Sequence, residues 1–182
     1  LANRRVTIVL AAGQNVRCTF TDESPSITLV QDSSPDNARD FFYTGCLGSG
    51  CGTFALDDDT DPTLPNTLTA GGLAQGTYTI TQTPTSPWSL SGITCNSTSG
   101  VTKDVANRRV TIVLSSATHR TCTFTDVTQS LTVVDDDLTD SGQDHRYTGC
   151  GTAGCATFTL DDDADATHPS QHTSGPIPTG TY

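Results

Sequence analysis

An all-β fold, made of tandem Greek-key β-sandwich modules of immunoglobulin-like kind on a 104-residue repeat, is predicted by three observations. Short runs of alternating apolar and Thr-rich residues recur along the chain, with Gly and Pro between them. Thr makes up about a fifth of the 182 residues, Met is absent and Lys occurs once, at Lys103. β-Branched Thr suits a half-solvated sheet face, whereas long helices want the unbranched side chains that are scarce here. Finally, Ala2 to Leu10 (ANRRVTIVL) returns unchanged as Ala106 to Leu114.

The offset of 104 set by Ala2 and Ala106 then holds without a gap. Cys18-Thr-Phe-Thr-Asp22 returns as Cys122 to Asp126, Tyr43-Thr-Gly-Cys46 as Tyr147 to Cys150, Leu56-Asp-Asp-Asp59 as Leu160 to Asp163, and Gly76-Thr-Tyr78 as Gly180 to Tyr182. About half of the aligned positions are identical. Only Thr79 to Asp104 is met once. The sequence therefore reads as an excerpt of a periodic array: residues 1–23 as closing strands of a preceding module, 24–126 as a complete module, and 127–182 as an incomplete second one.

Within 24–126 the alternation places strands near Ile27–Val30, Phe41–Thr44, Thr53–Asp57, Thr67–Thr69, Thr77–Thr83, Ser89–Cys95, Val110–Leu114 and Thr121–Thr125. Parity assigns Phe54 and Leu56, Tyr78 and Ile80, Ile93 and Cys95, Val110, Ile112 and Leu114, and Cys122 and Phe124 to inward faces. Seven or eight short strands in about 100 residues fit a two-sheet sandwich.

The cysteines supply covalent candidates. Cys46 and Cys51 flank Leu-Gly-Ser-Gly, and Cys150 and Cys155 flank Gly-Thr-Ala-Gly, so each glycine-bearing loop can bring two thiols together. A bridge there closes a short loop worth about 2 kcal/mol on the chain-entropy account. Cys95 and Cys122 share inward parity on strands that could pair, and their bridge is worth about 3.5 kcal/mol. Cys18 occupies the place of Cys122 one period earlier, so its partner is expected outside the sequence. Zinc is the rival use of these thiols, but the four converging ligands it needs are not evident. Seven cysteines in an acidic, β-rich chain point to an oxidising, extracellular setting.

The net charge of -11 opposes binding to nucleic acid or anionic membranes. No apolar run reaches membrane-spanning length, so membrane insertion is not expected. The acidic clusters Asp57, Asp59, Asp61 and Asp161, Asp163, Asp165 put hard oxygen ligands on one side of an extended chain, as Ca²⁺ prefers. Asp58 falls on the inward parity, so the chain must turn there, and a solvated acidic hairpin explains the cluster equally well. No cofactor is required; calcium is the one candidate. Asn96-Ser97-Thr98 is an N-glycosylation sequon, and Thr81, Thr83 and Thr85 are candidate O-glycan acceptors. His119, His145, His168 and His172 face Asn15, Phe41, Leu64 and Leu68 in the other copy, which argues against a repeated catalytic site. No nucleophile elbow, phosphate loop or zinc-protease motif is present, and the chain is not read as an enzyme.

The succession Ser26-Ile-Thr-Leu-Val30, Phe54-Ala-Leu-Asp-Asp-Asp59, Leu64-Pro-Asn-Thr67, Leu73-Ala-Gln-Gly-Thr-Tyr-Thr-Ile-Thr81, Trp88 to Cys95, Val110 to Leu114 and Cys122 to Thr125 resembles bacterial prealbumin-like repeats, relatives of SpaA and Cna-B type domains. The resemblance implies a stalk, pilin or adhesin module of a surface protein. Related domains join a Lys on the first strand to an Asn on the last, assisted by an acid on a middle strand. The matching places hold Gln31 and Asp135 for the Lys, Gln82 for the acid, and Asp22 and Asp126 for the Asn, so no isopeptide bond is expected. The leading expectation is a structural repeat of an extracellular fibre or filament whose partners are copies of itself or neighbouring modules, with attached glycans as a further expectation. Cell adhesion through a ligand-binding, calcium-assisted surface module is the alternative.

Overall fold

Nine strands follow one another through residues 26–127 of the computed structural model: β1 (Ser26–Ser34), β2 (Phe41–Cys46), β3 (Cys51–Leu56), β4 (Thr67–Ala70), β5 (Gly76–Gln82), β6 (Ser89–Cys95), β7 (Val101–Asp104), β8 (Arg109–Leu114) and β9 (His119–Val127). The structure describes residues 5–48, 50–59, 61–138, 142–151, 154–163, 167–178 and 180–182. Hydrogen bonding orders the nine strands into a four-stranded sheet, β4-β1-β9-β6, and a five-stranded sheet, β3-β2-β5-β8-β7.

Alternation explains why these segments pair and what they bury. Ile27 and Leu29 on β1, Ile93 on β6, and Cys122 and Phe124 on β9 face inward from the first sheet, and all are at most 4 % exposed. Phe41, Tyr43, Leu56, Ile80, Val110, Ile112 and Leu114 meet them from the second sheet. Tyr43 is sandwiched in this layer, stacked on Phe54 at 5.4 Å and edge-on to Phe124 at 5.2 Å, while Phe41 meets Trp88 edge-on at 5.6 Å. Thr occupies the outer faces, where Thr28 and Thr69 exchange a 3.1 Å hydrogen bond across β1 and β4.

Most strand pairs are antiparallel, but β1 and β9 run parallel and stay in register for nine residues, from Ser26 opposite His119 to Ser34 opposite Val127. The first and last strands of the module are thus neighbours in the middle of one sheet. Their inward ladders change character together: past Leu29 and Phe124 come Gln31 and Ser33 on β1 and Asp126 on β9, all at most 1 % exposed.

Strand β7 exceeds the seven or eight strands expected. Val101-Thr-Lys-Asp104 is a polar edge strand paired only with β8, so its alternation is weak. Gly100, just before β7, packs against the far end of β8: its φ is +70°, and a Cβ there would lie 2.9 Å from the Val113 carbonyl oxygen.

Beyond residue 127 the first module's pairings return at the same offset. β10 (Thr132–Val134) pairs with β13 (Gln171–Thr173), placing Thr132 opposite Thr173 as Thr28 is opposite Thr69. β11 (His145–Gly151) and β12 (Gly154–Leu160) form a hairpin in the register of β2 and β3.

Residues 5–25, by contrast, form no strand, although closing strands were expected over 1–23. Arg5 to Leu10 repeats the sequence of β8 yet is exposed throughout. The difference is context: β8 is flanked by β5 and β7, and no described strand pairs with 5–10. Strand formation here depends on partners more than on intrinsic propensity.

The buried ladder makes a direct prediction. Phe124→Ala should lower stability by about 3–5 kcal/mol, whereas Leu138→Ala, at a 99 % exposed side chain, should change it by less than about 0.5 kcal/mol. Urea unfolding followed by Trp88 fluorescence measures the first, and far-UV circular dichroism of the whole chain the second.

Candidate functional site

The place where β1, β2, β5 and β9 turn their inward positions polar is the chemically richest part of the module. Gln31, Gln82 and Asp126, at most 1 % exposed, converge there with Tyr43, and Arg108 closes the outer side. Gln82 donates through Nε2 to Asp126 Oδ2 at 2.5 Å, and Gln31 Nε2 donates to the same oxygen at 3.1 Å. The Tyr43 hydroxyl donates to Gln31 Oε1, and Gln82 Nε2 also lies 3.3 Å from the Tyr43 oxygen. Arg108 Nη1 donates to Gln82 Oε1 at 3.1 Å and approaches Asp126 Oδ1 at 3.6 Å. Asp126 Oδ1 has no hydrogen-bond partner among the described residues, so Arg108 is its nearest compensation.

The electrostatics follow from this packing. Burial raises the Asp126 carboxyl above its ordinary range, opposed by hydrogen bonds from Gln82 and Gln31 and by the Arg108 charge. Burial likewise pushes the Tyr43 phenol well above its ordinary value.

Three of the five residues, Gln31, Gln82 and Asp126, are those picked out as replacing Lys, acid and Asn. The fold brings them into contact, and their chemistry explains what the site does. A carboxamide nitrogen shares its lone pair with the carbonyl and is no nucleophile, and an aspartate carboxylate is a poor acyl donor. The cluster therefore joins the first and last strands through hydrogen bonds. Tyr43 and Arg108 were missed in the sequence. Tyr43 was detectable in principle, because it recurs as Tyr147 and shares inward parity with Phe41. Arg108 was not: its φ of 53° turns the backbone between β7 and β8, which no pattern signals.

The second copy repeats part of this arrangement. Asp135, 8 % exposed, accepts from the Tyr147 hydroxyl at 2.9 Å, as Gln31 accepts from Tyr43, and also meets His145 Nδ1 at 2.9 Å. Asp22, the equivalent of Asp126 in the first segment, lies outside any strand.

The six cysteines named in pairs are bonded as Cys46–Cys51, Cys95–Cys122 and Cys150–Cys155, and Cys18 is free and exposed. The first and third bridges staple hairpins across register partners, and the second ties β6 to β9. None of them spans β1 and β9.

The acidic segment differs from expectation. β3 ends at Leu56, and β4 lies in the opposite sheet, so the connection between them is a crossover and not a hairpin. The deeply buried carboxylate is Asp57, at 1 %, and not Asp58, because Asp58 Oδ2 reaches out to Ser33 N at 2.5 Å. Asp57, Asp59 and Asp61 place carboxylate oxygens within 4.8 Å of one another. Hydrogen bonds from the Thr63 hydroxyl and amide hold the Asp61 carboxyl below its ordinary range. Asp161, 3 % exposed, repeats the burial of Asp57, and Asp163 N donates to its Oδ1 at 3.1 Å; Asp165 lies outside the described residues.

Among the glycan candidates, Asn96 is exposed and its Oδ1 accepts from Thr121 N at 3.2 Å. Thr83 is exposed and Thr81 half-buried. Thr85 must be withdrawn: it is 7 % exposed, with its hydroxyl bonded to the Thr83 carbonyl at 3.2 Å, which leaves no room for a sugar. The histidines serve separate local contacts. His119 pairs with Glu23 at 2.9 Å and with Ser26 at 2.7 Å, His168 approaches Asp144 at 3.4 Å, and His172 stacks on Phe158 at 4.3 Å.

Two parallel terminal strands, two opposed sheets and an inward polar cluster between them define a β-sandwich module of prealbumin-like kind. The prealbumin-like fold domain profile matches residues 27–128, and the chain belongs to that family. Domains of this SpaA type occur in bacterial surface proteins. No curated protein sequence matches the chain. Among solved structures, the Bacillus anthracis TIE protein is similar over 86 % of this chain at 11 % identity and a TM-score of 0.40. This chain spans 27 % of that protein's length.

Three outcomes follow. The mass of the oxidised chain should fall short of the polypeptide by the hydrogens of its disulfides and by no ammonia. A carboxyl whose folded pKa is raised above its ordinary 3.8 contributes stability that is full below that value and is lost as pH rises through the folded pKa. Wild type should therefore lose stability relative to Asp126→Asn as pH rises from 3 to 7, read from urea midpoints. Gln82→Ala should cost about 1–3 kcal/mol at pH 7, because it removes a donor from a buried carboxylate.

Proposed function

We propose that this chain is a load-bearing structural repeat of an extracellular stalk or pilus-like fibre. The single observation behind this reading is the parallel, nine-residue pairing of β1 with β9. The chain enters the module at the Ser26 end of this pair and leaves at the Val127 end. Because the strands are parallel, those points lie at opposite ends of the pair, about 25–30 Å apart for nine residues. Tension along the chain then loads the inter-strand hydrogen bonds together, in shear, instead of opening them one by one. The return of the same registers at β10–β13 supports the view that such modules follow one another in one chain.

Family membership and the disulfides favour a surface module in an oxidising setting. The acidic excess, a net -11 for the chain, would keep neighbouring fibres apart. No catalytic role is needed: the polar cluster lacks a nucleophile and is closed off from solvent. Linear succession of modules, and no nucleic-acid or membrane partner, complete the reading.

Electron microscopy of a chain carrying several copies of residues 24–127 tests it. Straight, evenly spaced particles without any added ligand are expected. Collapsed or randomly bent particles, together with saturable binding of a cell-surface ligand by the module, would favour the adhesin reading instead.

A further inference from the structure

The crossover between β3 and β4 contains three carboxylates that the sandwich itself does not explain. Asp57, Asp59 and Asp61 bring ligand oxygens within 4.8 Å of one another, and no described Lys, Arg or His forms an ion pair with any of them. Acidic clusters are common on surfaces and carry no such meaning alone. Here, however, one member is buried. Asp57 is 1 % exposed; its Oδ1 accepts from the amides of Asp58 and Asp59 at 2.5 and 3.1 Å, while its Oδ2 has no hydrogen-bond partner among the described residues. A buried carboxylate oxygen left unpaired, next to two further carboxylates, is costly unless something positive meets it.

The loop is held in shape without using up these oxygens. Asp57 N donates to the Pro65 carbonyl at 3.2 Å, and Asp58 turns the other way to take Ser33 N. Asp59 Oδ1 accepts from Asp61 N at 2.8 Å, and Asp61 Oδ1 accepts from Thr63 N at 2.7 Å. Each of these two carboxylates keeps a second oxygen, and a carboxylate oxygen that accepts one hydrogen bond can still ligate a cation.

We propose that Asp57, Asp59 and Asp61 form a Ca²⁺ site on the β3–β4 crossover, completed by backbone carbonyls and water. The ligand chemistry selects the ion. All three donors are hard anionic oxygens, and no thiol or imidazole joins them, which disfavours Zn²⁺ and Cu²⁺. An irregular loop offers the high coordination number and loose geometry that Ca²⁺ accepts and Mg²⁺ does not. Bound there, the ion would pin the crossover between the two sheets. It would also steady Ser33 through Asp58, beside Ser34, whose carbonyl accepts from Thr128 N at 3.4 Å where the chain leaves the module. This site is independent of the load-bearing reading: a stalk without Ca²⁺, or a Ca²⁺ module that bears no load, would each separate the two.

Trp88 is the sole tryptophan of the chain and is buried in the complete module, so fluorescence-detected melting reports that module alone. The full 182-residue chain, stripped with EDTA, should melt several degrees higher in about 2 mM CaCl₂, the range of extracellular calcium modules. Excess EDTA should reverse the rise. MgCl₂ at the same concentration should give a smaller shift. The double variant Asp59→Asn/Asp61→Asn should lose the calcium response while melting within a few degrees of the EDTA-treated wild type. An unchanged melting temperature in CaCl₂, an equal response to MgCl₂, or a calcium response that survives in the variant would each overturn the site.

Discussion

The parallel pairing of β1 with β9 is the constraint on which the rest of the module depends. It makes the first and last strands neighbours, so the sandwich cannot close until its final residues arrive. Every other feature is arranged around that joint. β4 and β6 flank it within the sheet, the aromatic layer of Phe41, Tyr43 and Phe124 lies beneath it, and the polar cluster caps one end of it. Such a topology has high contact order and pays its loop-closure entropy before the central pair forms.

Two kinds of cross-link divide the work. The disulfides lie outside the β1–β9 joint: Cys95–Cys122 ties β9 to its other neighbour β6, and Cys46–Cys51 staples the hairpin of β2 and β3. They limit how far the chain can unravel once the joint has opened, since Cys95–Cys122 alone encloses 27 residues' separation. The joint itself is held by the ladder and by Gln31, Gln82 and Asp126, where an amide-forming Lys, acid and Asn would stand in relatives that the sequence resembles. Hydrogen bonds can re-form after rupture. The cluster thus exchanges a permanent link for a reversible one, at the cost of burying a charged group whose Oδ1 is met, among the described residues, by Arg108 alone.

How much of this was legible in the sequence varied with the kind of signal. Strand positions and inward faces followed from alternation, because Ile80, Val110, Ile112 and Phe124 have no ambiguity of parity. The substituted positions 31, 82 and 126 were found by resemblance, and only the fold showed that they touch. Three features escaped for physical reasons. β7 is polar and lies at an edge, so it carries no apolar rhythm. Arg5 to Leu10 copies β8 in sequence but has no described strand beside it, and propensity without partners makes no sheet. The burial of Asp57 rather than Asp58 reflects Asp58 capping Ser33, a tertiary contact 25 positions away that breaks the parity rule at the strand's end.

Force spectroscopy on the single chain tests the central claim most directly, because one strand pair can be pulled in two geometries. Handles at Ser26 and Val127 load the β1–β9 pair in shear, whereas handles at Ser26 and His119, which are register partners, peel it from one end. The rupture force should be several times higher in the first geometry than in the second at equal pulling speed. Equal forces in the two geometries would show that the parallel pair is not the element that bears load.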